Sequence, residues 1–117
     1  MNIEDIRLYC LSKKGVTESF PFNDTALVFK VAGKMFALVN LSNNQSINLK
    51  CDPDKTLELR EHYSAVLPGY HMNKKLWNTI ILDDSILDNI ILQWIDDSYD
   101  LIVEKMTKKL RAELSRL

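Results

Sequence analysis

Two apolar runs, TALVFKV at 25–31 and KMFALVNL at 34–41, stand end to end with only Ala32-Gly33 between them. Side chains alternate along each: Leu27, Phe29 and Val31 against Val28 and Lys30, then Met35, Ala37, Val39 and Leu41 against Phe36 and Leu38. A period of two belongs to strands, and a two-residue link containing glycine supplies the positive φ of a tight hairpin. Two such strands are not stable alone, so this hairpin obliges the rest of the chain to complete a sheet and cover it.

The flanking sequence supplies candidates. After the polar turn SNNQS, the run INLKC (47–51) points Ile47, Leu49 and Cys51 one way and Asn48 and Lys50 the other. A further strand-like run is LWNTIILD at 76–83. Asn2 caps an expected first helix with Glu4 and Asp5 in its opening turn, and Gly15 is placed to end it. GVTESFPFND (15–24) is expected as an irregular connector because Pro21 lacks a ladder donor. Asp52-Pro53 is a compact start for a second helix running to about Tyr63. Ser85 and Asp88 are spaced as a capping box for a last, long helix, along which Ile91, Ile95, Ile102, Met106, Leu110 and Leu114 form an apolar stripe. The order helix, three strands, helix, strand, helix predicts an α+β domain over 1–117, an antiparallel sheet with helices packed on one side.

Charge narrows the function classes. Fifteen basic residues face 16 acidic ones, unlike the strong basicity of a general nucleic-acid coat. The balance hides an asymmetry: Asp83, Asp84, Asp88, Asp96, Asp97, Asp100 and Glu104 come without a base, and then Lys105, Lys108, Lys109, Arg111 and Arg116 with only Glu113. Acid at the start and base at the end suit the macrodipole of one long helix. MNIEDIRLYC lacks the apolar stretch of a leader, and no run approaches the ~20 apolar residues that span a bilayer. The expected location is cytoplasmic, away from membranes, with Cys10 and Cys51 as reduced, mostly buried thiols.

Chemical motifs are few. His62 and His71 have no second ligand at metal-binding spacing, and the paired acids DDS and DDSYD are expected on a solvated helix surface. Three scattered glycines make no phosphate loop, and neither cysteine has a neighbouring base. The expectation is a recognition domain without metal or cofactor, a catalytic use of His71 as acid or base staying open. Polar and aromatic groups concentrate in PGYHMNKKLWN, 68–78. One candidate surface joins Lys30, Lys34, Lys50, Lys74, Lys75 and Trp77, with lysines on phosphates and the indole stacked on a base. Another is a pocket for a small ligand or protein, built from Phe22, Tyr70, His71, Asn73 and Trp77. Residue chemistry alone favours a purely structural use: Tyr70 and Trp77 fill the core under a turn, and Lys74 and Lys75 guard a sheet edge against aggregation.

PF at 21–22, VAGKMFAL at 31–38, LKCDP at 49–53, VLPGYHMNKKLWNT at 66–79 and SYDLIVEK at 98–105 together resemble the MmcQ/YjbR family, in family order over nearly the whole chain. The resemblance implies a fold similar to bacterial frataxin, CyaY-like and also called double-wing. It also implies a DNA-binding or regulatory role, a label that rests on shape shared with a phage transcription factor. No established family site residues transfer with it. Frataxin-type iron binding uses an acidic first helix, and here only Glu4 and Asp5 precede a basic turn, so iron is not expected.

Overall fold

The computed structural model describes residues 1–69 and 72–117. Strands β1 (Val16–Ser19), β2 (Ala26–Val31), β3 (Lys34–Asn40), β4 (Ser46–Lys50), β5 (Val66–Pro68) and β6 (Trp77–Ile81) form one antiparallel sheet in the order β1-β2-β3-β4-β6-β5. Helices α1 (Ile3–Leu11), α2 (Pro53–His62), α3 (Asp88–Glu104) and α4 (Lys108–Ser115) complete an α+β architecture. The central hairpin forms as its sequence dictates: Ala32 and Gly33 both take positive φ, 49° and 79°, as a two-residue primed turn requires.

One face of the sheet carries the core. Leu27, Phe29, Val39, Ile47, Leu49, Val66 and Ile80 are buried there with Ile6 and Cys10 of α1 and Ile91, Ile95 and Ile102 of α3. A bulge in β3 shapes the opposite face. Phe29 pairs with Ala37 but Lys30 pairs with Met35, so Phe36 is the extra residue. Phe36 turns into the helix layer, where its ring meets Tyr99 edge to face at 5.4 Å. Met35 and Leu38, three positions apart, are thereby both left on the side away from the helices.

Several boundaries differ from the sequence-based expectation. The supposed connector contains β1, an edge strand along β2, and AVLP contributes the short edge strand β5. Gly15 does adopt φ 72°, but α1 has already closed at Ser12, so the glycine turns the chain into β1 instead. Its missing side chain makes room for α4, since a Cβ there would lie 2.5 Å from Leu114.

The long terminal helix is two helices. The chain breaks at Lys105–Thr107, and Thr107 caps α4 by accepting the Leu110 amide. Lys108 and Lys109 consequently occupy the first turn of α4, the end where a helix dipole disfavours cations. Ser85 is no cap either. α3 starts after Leu87 without a side-chain cap, and the amino-terminal ammonium group lies 3.3 Å from both Asp84 and Asp88.

Candidate functional site

Strand register lays one row straight across the face opposite the helices: Val28, Leu38, Asn48, Thr79 and Leu67, on β2, β3, β4, β6 and β5. A second row beside it contains Ala26, Asn40, Ser46 and Ile81. Above these rows is a cavity of about 450 Å³. Its floor is Ala26, Met35, Leu38, Asn40, Ser46, Asn48 and Thr79, and its walls are Phe22, Asn23 and Thr25 from the β1–β2 loop and Met72 from the β5–β6 loop.

The polar atoms lining the cavity divide into engaged and unengaged. Asn23 Oδ1 accepts from the Thr25 and Ala26 amides at 2.9 and 2.8 Å, which fixes the wall against the start of β2. Asn40 Oδ1 accepts from the Ser42 amide and hydroxyl. Thr79 Oγ1 donates to Asn48 Oδ1, leaving the Asn48 amide nitrogen directed elsewhere. That nitrogen and the Ser46 hydroxyl have no partner among the described residues, although each residue is only 7% exposed. Among the described residues no sealed side-chain polar atom lacks a partner, so both groups reach the cavity. Over them stands Phe22, 71% exposed, a large ring held in water.

The helix side has its own cavity, about 250 Å³, bordered by Lys50, Cys51, Lys55, Glu58, Trp94, Asn78 and Asp97. Its buried polar group is already used: Asn78 Oδ1 accepts from Arg60 Nε at 2.7 Å, and its amide donates to the Thr56 carbonyl. Arg60 also donates to the carbonyls of Lys74 and Trp77, clamping the β5–β6 loop to α2. Cys51 borders this cavity half-buried, and burial pushes its thiol up from the ordinary range.

The residues proposed from sequence are distributed over both faces. Lys30 pairs with Met35 beside the open-face cavity. Lys50, half-buried, pairs with Trp77. Its ammonium group is held below the usual lysine range, first by burial and then by Lys105 and Lys34. Lys74 and Lys75 are instead exposed near Pro53, Leu57 and Arg60 of α2. The lysines are thus split into a Lys34–Lys50 group and a Lys74–Lys75 group. Ion pairs among the described residues involve the amino terminus, Arg7 and Lys13, and none of these five lysines.

Trp77 is half-buried, neither sealed nor free. Gly69 explains part of its setting, since a Cβ there would come within 2.8 Å of Trp77 Cβ and its carbonyl oxygen. Asn73 organises the turn into β6: its Oδ1 accepts the Lys75 amide, and its carbonyl accepts the amides of Leu76 and Trp77. Phe22 lines the open-face cavity together with Met72, whereas Asn73 and Trp77 do not line it. Tyr70 and His71 lie outside the described residues.

Ser46, Asn40 and Thr79 escaped the sequence-based selection. Alternation does put Asn48 opposite Ile47 and Leu49, and extending it through Ser46 and across WNTII marks the same face. Among the described residues no group of three His, Cys, Asp or Glu side chains could hold a metal ion, and no helix is long and apolar enough to cross a membrane.

Known proteins resemble this chain in sequence and in fold. A family model described as YjbR matches residues 11–101. The chain is 33% identical over 118 residues to YjbR of Escherichia coli K12, covering all of both proteins. It is 38% identical over 91 residues to YbdF of Escherichia coli O157:H7, covering 77% of this chain and 75% of that protein. The crystal structure of Deinococcus radiodurans protein DR2400, of domain DUF419, superposes with a TM-score of 0.92 at 36% identity, over 97% of this chain and 88% of that one. A Pseudomonas syringae protein follows at TM-score 0.76 and 26% identity, over 86% and 98%.

Proposed function

The chain belongs to the YjbR family, and within it we propose a small-ligand-binding module whose site is the cavity on the open face of the sheet. One observation carries this: two nearly buried polar groups, the Asn48 amide nitrogen and the Ser46 hydroxyl, face a space of about 450 Å³ without protein partners among the described residues. Polar groups in residues this buried are normally bonded within the protein, whereas these two keep contact with the cavity, where a ligand can bond them. A cavity in the roughly 300–1,000 Å³ range that combines apolar side chains with convergent polar groups is a common form of a ligand site. The test is an amide NMR screen of the full chain against a fragment library. Hits are expected to move the Leu38, Ser46 and Asn48 resonances together; a library that moves none of them overturns the proposal.

A second reading, the DNA-contacting and regulatory role of a double-wing domain, has one favourable observation. Lys50, disfavoured as a cation first by burial and then by Lys105 and Lys34, has no ion-pair partner among the described residues, and Trp77 is its strand neighbour. Phosphate oxygens would offset that cost. Binding of duplex or single strands would then weaken steeply with salt and fall on Lys50→Gln. Absence of binding at low salt rejects it.

A further inference from the structure

Resting on the reading of the open-face cavity as a ligand site, we infer that the ligand is an uncharged, fused heteroaromatic ring that Asn48 and Ser46 read by hydrogen bonds and Phe22 covers. The chemistry of the lining excludes the alternatives one by one. Among the described residues no Asp, Glu, Lys, Arg or His borders the cavity. A phosphate or carboxylate placed there would exchange its hydration for neutral amide and hydroxyl groups beside thioethers, phenyl and aliphatic carbon, with no cation among the described residues to balance its charge. Lys30 is the strand partner of Met35 but does not line the space. An aliphatic chain fits no better, since it would bury the Ser46 and Asn48 groups without a bond.

What remains is a body that is flat, apolar on its faces and polar along its edge. Met35 and Met72 offer polarizable sulfur, which packs well against rings, and Leu38 adds an aliphatic floor. Because Thr79 donates to Asn48 Oδ1, the carboxamide presents its NH2 to the cavity and asks the ligand for an acceptor. Ser46, two residues along the same strand, gives or takes a second bond about 7 Å away along the backbone. Two polar points at that separation are met by a fused two-ring system more naturally than by a single ring. Phe22, 71% exposed at the mouth, loses water by closing on the ring face. Nucleobase-like and related bicyclic amides satisfy all three demands.

The experiment titrates the full chain with adenine, guanine and a neutral bicyclic lactam, and with counterparts of each bearing a carboxylate or phosphate. Amide spectra locate binding and calorimetry gives affinity. The expected result is binding of at least one neutral ring at Leu38, Ser46 and Asn48, and a tenfold or greater loss for its anionic counterpart. Asn48→Asp, which keeps an acceptor for Thr79 but removes the NH2, is expected to weaken binding at least tenfold. Should that variant fail to fold, Ser46→Ala and Phe22→Ala, with expected losses of several-fold each, decide the matter. Anionic compounds binding as well, or affinity indifferent to all three substitutions while shifts still map to the cavity, overturns the ligand class and leaves the cavity reading standing. Absence of any shift on the open face removes both. Concentration-dependent dimerisation abolished by Phe22→Ala overturns the inference in favour of a second copy as the occupant.

Discussion

The two faces of the sheet treat the same residue type in opposite ways. Ser98 on α3 is completely buried on the helix side; its hydroxyl donates to the Phe36 carbonyl at 2.6 Å and accepts the Lys50 amide at 2.9 Å. Ser46 on the open side is nearly as buried, yet its hydroxyl has no protein partner among the described residues. Asn78 and Asn48 repeat the contrast: one carboxamide is held at both ends by Arg60 and Thr56, the other at one end by Thr79. Polar groups under the helices fasten elements together. On the open face, the Ser46 hydroxyl and the Asn48 amide nitrogen hold bonding capacity in reserve among the described residues.

Breaking the helix side should be the most damaging change. Phe36→Ala removes a fully buried ring at the extra residue of the β3 bulge, together with its edge contact with Tyr99. We expect a loss of about 3–5 kcal/mol, read as a lowered denaturant midpoint at unchanged slope. Ser98→Ala should cost about 1–3 kcal/mol, because the Lys50 N–H and the Phe36 carbonyl lose their common partner inside the core. A cost near zero for Ser98→Ala would abolish the distinction between the two faces.

The helix-side core also predicts an alkaline limit. Burial pushes the Cys10 thiol up to about 12, against 9.0 ordinarily, with Lys13 opposing weakly. The folded chain therefore keeps the proton that the unfolded chain loses above pH 9. Stability from this group is complete below pH 9 and is lost as pH rises through about 12. Cys10→Ala should lower stability at neutral pH, yet flatten its decline above pH 9 by about one proton. Native chain should also label at half-buried Cys51 well before Cys10, measured by mass after thiol alkylation.

How much of this was legible in sequence depended on how local each determinant is. Ala32-Gly33 announces the hairpin, and Asp52-Pro53 announces α2, where Asp52 does accept the Asp54 amide. β1 and β5 hid because VTES and VLP are too short to show a period and gain their order from β2 and β6. The α3–α4 break hid because Ile102, Met106, Leu110 and Leu114 continue a helical stripe across it, with no Gly or Pro to mark the stop. Thr107 alone could have signalled a new cap. At the site, alternation gave the outward direction of Asn48. Its meeting with Phe22 and Met72 required the β4–β6 pairing across two intervening elements and the Phe36 bulge, neither written in any short window.

The smallest expected effect is the sharpest test of the contrast. Ser46→Ala deletes the same hydroxyl as Ser98→Ala from a residue of similar burial, but removes no protein hydrogen bond among the described residues. Stability should stay within about 0.5 kcal/mol of the parent, and a slight gain is consistent with discarding an unmet polar group. Side-by-side denaturation of the two alanine variants gives the comparison directly. Equal losses would mean that Ser46 has a structural bond the open cavity does not need. A large loss at Ser98 with none at Ser46 separates a hydroxyl spent on holding the fold from one the fold does not need.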